Sequence, residues 1–348
     1  MKQDKSKSIA ILTTGDEVVS GDIMNKNASQ IAKLLEENRF NVKTHMAVRD
    51  DKESVVQAIK WLINTHKVII TTGGLGPTLD DLTIDAISEA TQMPISFNES
   101  AWEMVQDIHA RLGFACPDNN KRLARFISSS ILFEPINGTA HGSLMNTGDN
   151  IVIALPGPPK ECMPMILKDV IPYLKEAKLD CGLYRTTIYL FAASESHIAS
   201  LVEPLCLKHQ LDFGFRTSFP FLELKVFTEE PNPKLDDILE AVDPWYIGSK
   251  VINYETLFMD YYLTHSKHFK FIVNDHAKHV LDWLPDWHMH NGENEINVQF
   301  NQETNMIETS FQGHKNAFTI NKKFNNERIL ALVKAWLSMQ WFNWLNLS

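Results

Sequence analysis

Val68-Ile69-Ile70-Thr71-Thr72-Gly73-Gly74-Leu75-Gly76-Pro77-Thr78-Leu79-Asp80-Asp81-Leu82-Thr83 is the stretch on which the fold turns. A β-branched apolar run, three glycines within four residues and an acidic opening to an amphipathic segment spell a buried strand, a tight loop and a helix beginning near Thr78. In an open α/β sheet, ligands sit beyond the carboxyl ends of the strands, and glycine lets the backbone approach them closely. Thr78 and Asp81 equally fit a capping box with Asp in place of the usual Glu, so the loop reads as a cradle or as a cap.

Working outward, the same plan recurs. Ser8 to Thr14 is an apolar run ending in Thr13-Thr14-Gly15-Asp16-Glu17, followed by the polar Ser20-Gly21-Asp22 and a helical pattern over Asn25 to Asn38. Asn41 to Val48 is a further strand, ending at Arg49-Asp50-Asp51 ahead of a helix with Val55, Val56, Ile59 and Leu62 on its buried side. Strands alternating with helices imply parallel pairing by right-handed crossovers, which puts these strand ends on one edge. Asp16, Glu17, Asp22, Asp50, Asp51, Asp80 and Asp81 would then share a rim with Arg49 as the only fixed positive charge. Clustered like charges are costly unless neutralised, and a divalent cation with oxygen ligands (magnesium, manganese or cobalt) would do so while clamping a phosphate. The plainer reading is that these acids cap helix N-termini.

Further on, the pattern is helical from Asp85 to Leu112 with a break at Pro94, and again over Asn119 to Phe126. Glu134 to Gly142 is a turn-rich loop. Ile151 to Leu155 returns as a strand, ending in Pro156-Gly157-Pro158-Pro159-Lys160-Glu161 before an amphipathic segment from Met163 to Leu174. Lys160 and His141 are candidate positive charges at the rim.

Four motifs carry a family resemblance: Thr14-Gly15-Asp16-Glu17 with Gly21 and Asn27, the loop from Gly73 to Thr83, Asn137-Gly138-Thr139-Ala140-His141-Gly142, and Leu155 to Glu161. In that order they resemble the N-terminal domain of the competence/damage-inducible CinA proteins, which is similar to molybdopterin-binding domains. The resemblance implies an α/β fold, a mostly parallel sheet with helices on both faces, over residues 1–176. It also implies metal-dependent hydrolysis of the pyrophosphate bond of a nucleotide diphosphate such as ADP-ribose. Asp50 and Asp81 match the family's strand-end acids and are the expected catalytic pair, joined by Asp16 and Glu17 as metal ligands. Thr13, Thr14, Gly15, Gly73, Gly74, Gly76, Thr78, Asn137, Gly138, Thr139, Gly157 and Lys160 are the expected substrate-binding set. The family usually has Pro-Gly where this chain has His141-Gly142. A binding module that has lost turnover is the alternative function.

Residues 183–250 read as strand, helix, strand, strand, a small α+β module resembling the KH-like middle domain of CinA-like proteins. It has no Gly-x-x-Gly clamp, and a formal net charge of -10 argues against nucleic acid and anionic membrane as partners. In residues 256–348 only the end, Phe324 to Leu337, faintly resembles the final helix of the family's amidase domain, and the Glu-Ser-Cys-Thr-Gly-Gly string that would supply the serine nucleophile does not occur, so the region reads as a diverged, inactive α/β amidase remnant or a replacement domain. His276, His279, His288 and His290 in this region are spaced so that a transition-metal site is conceivable, with ordinary surface or core histidines the plainer reading. Trp336, Trp341, Phe342 and Trp344 sit on several helical faces, so the tail is expected to bury itself against another domain or subunit. Four cysteines without a CxxC pair, no signal-peptide pattern and no run of membrane-spanning length lead to an expected cytoplasmic homo-oligomer acting on a small nucleotide.

Overall fold

Seven consecutive buried residues, Ser8–Thr14, make β1, and their alternation builds two cores at once. Ile9 and Ile11 point into one, Ala10 and Leu12 into the other. A strand apolar on both faces is what a parallel sheet covered by helices requires. The computed structural model describes residues 5–180, 182–231, 235–249, 269–273, 294–301, 306–311, 314–319 and 326–344. Two compact units divide the chain, Met1–Leu183 and Tyr184–Ser348.

In the first unit β2 (Asn41–Val48), β3 (Val68–Thr72) and β8 (Ile151–Leu155) join β1 in the parallel order β2-β1-β3-β8. One face is covered by α2 (Lys26–Glu37) and by α6 (Pro159–Met165), a π-helical turn over Ile166–Val170 and α7 (Ile171–Glu176). The other is covered by α3 (Lys52–Thr65) and α4 (Thr83–Thr91). The register sets Thr14 beside Val48, Thr13 beside Thr72 and Thr72 beside Leu155, so the four strand ends lie side by side on one edge. The mostly parallel α/β architecture with helices on both faces is therefore present.

Three local expectations are corrected. The first helix after the glycine loop starts at Thr83, not Thr78, because Thr78 to Leu82 is taken up in the loop. Between Asp85 and Leu112 lie two helices and a strand: α4, β4 (Ile95–Phe97) and α5 (Glu99–Arg111). Residues 119–126 form the end of a 3-10 turn (Asp118–Ala124) and the start of β5 (Arg125–Ile127), which pairs antiparallel with β4. The sheet also extends past β8 through antiparallel β7 (Gly142–Asn146) and β6 (Ile131–Phe133). Strands this short take their conformation from the strands they pair with, and local periodicity does not register them.

In the second unit, β9 (Tyr184–Phe191), α8 (Glu195–Lys208), β10 (Asp212–Ser218) and β11 (Phe221–Thr228) follow the strand, helix, strand, strand reading, with β12 (Tyr246–Gly248) added at an edge. β11 alternates strictly, with Leu222, Leu224 and Val226 packing on Ile198, Val202 and Cys206 of α8 and on α9 (Asp236–Val242). Farther along, β13 (Phe269–Val273) and β14 (Asn294–Asn301) run parallel, and β14, β15 (Met306–Phe311) and β16 (His314–Thr319) form an antiparallel meander. A last helix, α10, spans Asn326–Trp344. Trp341 is fully buried within the same chain: its indole Nε1 donates to Thr309 Oγ1 at 3.1 Å and its ring lies 5.5 Å from Phe271. His276, His279, His288 and His290 lie outside the described residues. Among the described residues no helix is long and apolar enough to cross a membrane.

Candidate functional site

The glycine loop leaves β3 with two left-handed residues, Gly73 at φ +106° and Gly74 at φ +65°. A Cβ on Gly73 would stand 2.6 Å from Thr14 O and 2.8 Å from Thr14 Oγ1, and one on Gly74 would collide with Thr83 Oγ1. Glycine is required here for close packing of the β1 and β3 loops as well as for conformation. The loop is tied down by Gly73 N donating to Leu155 O at 3.1 Å, Thr83 N to Gly74 O at 3.2 Å and Thr83 Oγ1 to Gly73 O at 2.8 Å.

Asp81 closes the loop on itself. Its Oδ1 accepts from Gly76 N at 2.7 Å, and its Oδ2 accepts from Thr78 N at 2.8 Å and from Thr78 Oγ1 at 2.6 Å. Half of the expected capping box is thus real, since the acid reaches back to the Thr78 amide, yet it clasps a turn rather than starting a helix. Both carboxylate oxygens of Asp81 are engaged within their own loop.

The remaining acids divide between caps and a pair. Asp51 is the N-cap of α3, its Oδ1 accepting from Ser54 N at 2.8 Å, and Asp22 accepts from Ser20 Oγ at 2.7 Å. For these two the capping and turn reading is the correct one. Asp16, which opens the short helix α1 (Asp16–Ser20), and Asp50 instead face each other. Asp16 N donates to Asp50 Oδ2 and Asp50 N donates to Asp16 Oδ1, each at 3.2 Å, with Arg49 Nη1 3.7 Å from Asp16 Oδ1. Burial and the neighbouring Glu17 and Asp16 charges push the Asp50 carboxyl up, against the hydrogen bond from the Asp16 amide. Among the described residues no three metal-ligating side chains gather closely enough to hold an ion alone.

The β8 loop locks in from the other side. Thr72 Oγ1 donates to Pro156 O at 3.0 Å, Asn27 Nδ2 donates to Gly157 O and to Thr72 Oγ1, and a Cβ on Gly157 would sit 3.6 Å from Gly73 Cα. Asn137 Nδ2 donates to Lys160 O at 3.0 Å, drawing the Asn137-Gly138-Thr139 loop to the same place. Thr13 Oγ1 accepts from Asn25 Nδ2 at 3.0 Å, so it supports the α2 N-cap. Lys160 is an exposed side chain, whereas His141 is buried and its pKa is lowered by that burial, so the fold favours the neutral ring. His141 is therefore not the positive charge expected at the rim. Roles for Asn27, Thr72, Thr83 and Glu161 are not evident from sequence; the repeated Thr-Thr-Gly at the ends of β1 and β3 is the one signal that points at Thr72.

The pattern of the family described as a probable molybdopterin binding domain matches residues 10–176, which run from within β1 to the end of α7. Over that segment the chain is similar to this family. The chain is similar to the putative competence-damage inducible proteins: it is 33% identical over 195 residues to the one of Caldanaerobacter subterraneus, covering 56% of this chain and 47% of that one. It is 33% identical over 233 residues to the protein of the same description from Thermoanaerobacter pseudethanolicus, covering 67% of this chain and 56% of that one. The chain thus spans about half the length of these curated relatives. A crystal structure of the protein CinA from Thermoplasma acidophilum, described as of unknown function, aligns with 26% identity and a TM-score of 0.45 over 50% of this chain and 99% of that one. All four converging loops fall within the matched molybdopterin-binding segment.

Proposed function

We propose that the first unit binds a nucleotide diphosphate such as ADP-ribose at the joined ends of β1, β2, β3 and β8, and hydrolyses its pyrophosphate bond with a divalent metal. The observation that carries this reading is the lacing of the β3 glycine loop to Thr14 on one side and Gly157 on the other. With the Gly73 amide bonded to Leu155 and those of Gly76 and Thr78 to Asp81, such a loop would offer phosphate oxygens its remaining backbone N–H groups, around Gly74 and Leu75. Thr13, Thr14, Gly15, Gly74, Asn137, Gly138, Thr139 and Lys160 lie in the loops that would surround the ligand.

Asp16 and Asp50, with Glu17 beside them, fit a cation: each carboxylate is held by the other's backbone amide, the like charges raise the Asp50 carboxyl, and one guanidinium lies near Asp16. Magnesium-type ions need only one or two protein carboxylates when phosphate oxygens complete the shell, so a site with fewer than three ligands is chemically sufficient. When bound, the metal would lower the pKa of a water and neutralise charge on the phosphates. In the reaction a water oxygen bonds to one phosphorus, the bridging P–O bond breaks, and two phosphomonoesters such as AMP and ribose 5-phosphate leave. Asp81 acts as a positioning residue: by taking the Gly76 and Thr78 donors it fixes the shape of the loop that would meet the phosphates. Product formation from ADP-ribose by the full chain, with and without magnesium, manganese or cobalt, tests the reading; no turnover with any of them removes the hydrolase.

The engagement of both Asp81 oxygens favours a second reading, a module that binds nucleotide or pterin diphosphate without cleaving it. Binding in calorimetry with no product formed would select it. A cytoplasmic homo-oligomer, the 183–250 and 256–348 domains, and an inactive amidase remnant in the last of these remain part of the proposal.

A further inference from the structure

Glu161 is a carboxylate without an answer. It lies in the first turn of α6, half-buried, and its carboxylate rests on Gly138, where a Cβ would stand 2.6 Å from both of its oxygens. Burial alone raises its pKa; neither a hydrogen bond nor a nearby charge offsets this, and no cation pairs with it among the described residues. One further acceptor beside the same loops, Asn27 Oδ1, is buried without a partner. Buried polar groups are almost always hydrogen-bonded, so an unanswered amide oxygen and a half-buried carboxylate without a donor, on neighbouring loops, fit a ligand that brings donors.

Their chemistry says which part of it. A carboxylate and an amide oxygen are acceptors, and an ionised diphosphate has no donors to give and repels Glu161. We propose that Glu161 is a specificity-determining residue of this site, accepting a pair of adjacent donors from the non-phosphate part of the ligand. Two ligand parts present such a pair, the vicinal hydroxyls of a ribose and the amino-amide edge of a pterin-like ring. The inference rests on the diphosphate reading above. Glu161 would then discriminate a nucleotide or pterin diphosphate from bare phosphate: it helps the first by charge-assisted hydrogen bonds and hinders the second by repulsion.

Calorimetry at fixed magnesium on the full chain, wild type against Glu161→Gln, tests this with four probes: ADP, its analogue lacking both ribose hydroxyls, hydroxymethylpterin diphosphate and inorganic pyrophosphate. Glu161→Gln is expected to weaken ADP, the pterin diphosphate or both by roughly tenfold to a hundredfold. Pyrophosphate should bind as before or more tightly. A loss for ADP that is absent for the analogue assigns the hydroxyls, and a loss for the pterin diphosphate assigns the ring edge. Equal loss across all four probes, or no loss, overturns the inference while leaving the diphosphate reading in place. If wild type binds none of the four, that reading fails first and takes the inference with it. Glu161→Asp, which keeps the charge but withdraws it by one methylene, should show the same selective loss, so the test does not hang on one variant's folding.

Discussion

Asp16 and Asp50 hold each other by paired backbone-to-carboxylate hydrogen bonds, both 3.2 Å long, across the ends of β1 and β2. Two acids are thereby kept together that charge alone would separate, and the arrangement gains from any cation placed between them.

Asp50→Asn keeps an oxygen to accept from the Asp16 amide and removes the charge. Hydrolysis of ADP-ribose should fall by roughly 10²–10⁴-fold, the usual range for loss of a positioned catalytic group. Thermal stability should hold or rise slightly, since a like-charge contact is gone. Parallel turnover and melting measurements check both halves, and a variant that turns over normally excludes Asp50 from the chemistry.

Asp81→Asn should act differently. An amide keeps one acceptor oxygen where the carboxylate has two, so even with that oxygen turned to Thr78 its NH2 opposes the Gly76 N–H, and the loop from Gly76 to Thr78 loosens. The expected result is weaker binding of every diphosphate, including pyrophosphate, with the metal concentration needed for half-maximal turnover unchanged. A large shift in that metal requirement would return Asp81 to the metal's own ligands.

Gly74 and Gly157 make a matched test of packing. Gly74→Ala forces a side chain into a left-handed conformation and onto Thr83, a change expected to cost at least about 1–2 kcal/mol. Gly157→Ala meets only ordinary contact with Gly73 Cα and should be tolerated in folding. Urea denaturation of the two variants reads the difference directly.

His141 sets an acid limit. It is buried beside Phe126, its Nδ1 has no hydrogen-bond partner, and its pKa is lowered chiefly by desolvation, against a smaller raising effect from Glu134. Above the unfolded value of about 6.5 both states are neutral and nothing is lost. As pH falls below it, the unfolded chain takes up the proton first, so stability declines down to the folded pKa. His141→Gln should flatten that part of the stability curve, as followed by denaturant midpoints across the acid range.

Local chemistry in the sequence was enough to settle the parallel core. Ser8 to Thr14, Val68 to Thr72 and Ile151 to Leu155 are apolar on both faces, and only a sheet sandwiched by helices buries such strands. The Thr-Thr-Gly and Leu-Pro-Gly strand ends likewise mark the edge where a ligand would bind, because turn chemistry is encoded within a few residues. Tertiary structure decided what each acid does. Asp51 caps a helix, Asp81 clasps its own turn and Asp50 meets Asp16, although all three follow glycine-rich or polar strand ends and look alike in sequence. It also decided the pairing of β4 with β5, which lie well apart along the chain, and the antiparallel extension through β7 and β6, and it left Glu161 on Gly138. Whether a carboxylate is a cap, a clasp or an open acceptor depends on which N–H groups the fold brings within about 3 Å, and that is set by packing between elements rather than by spacing within them.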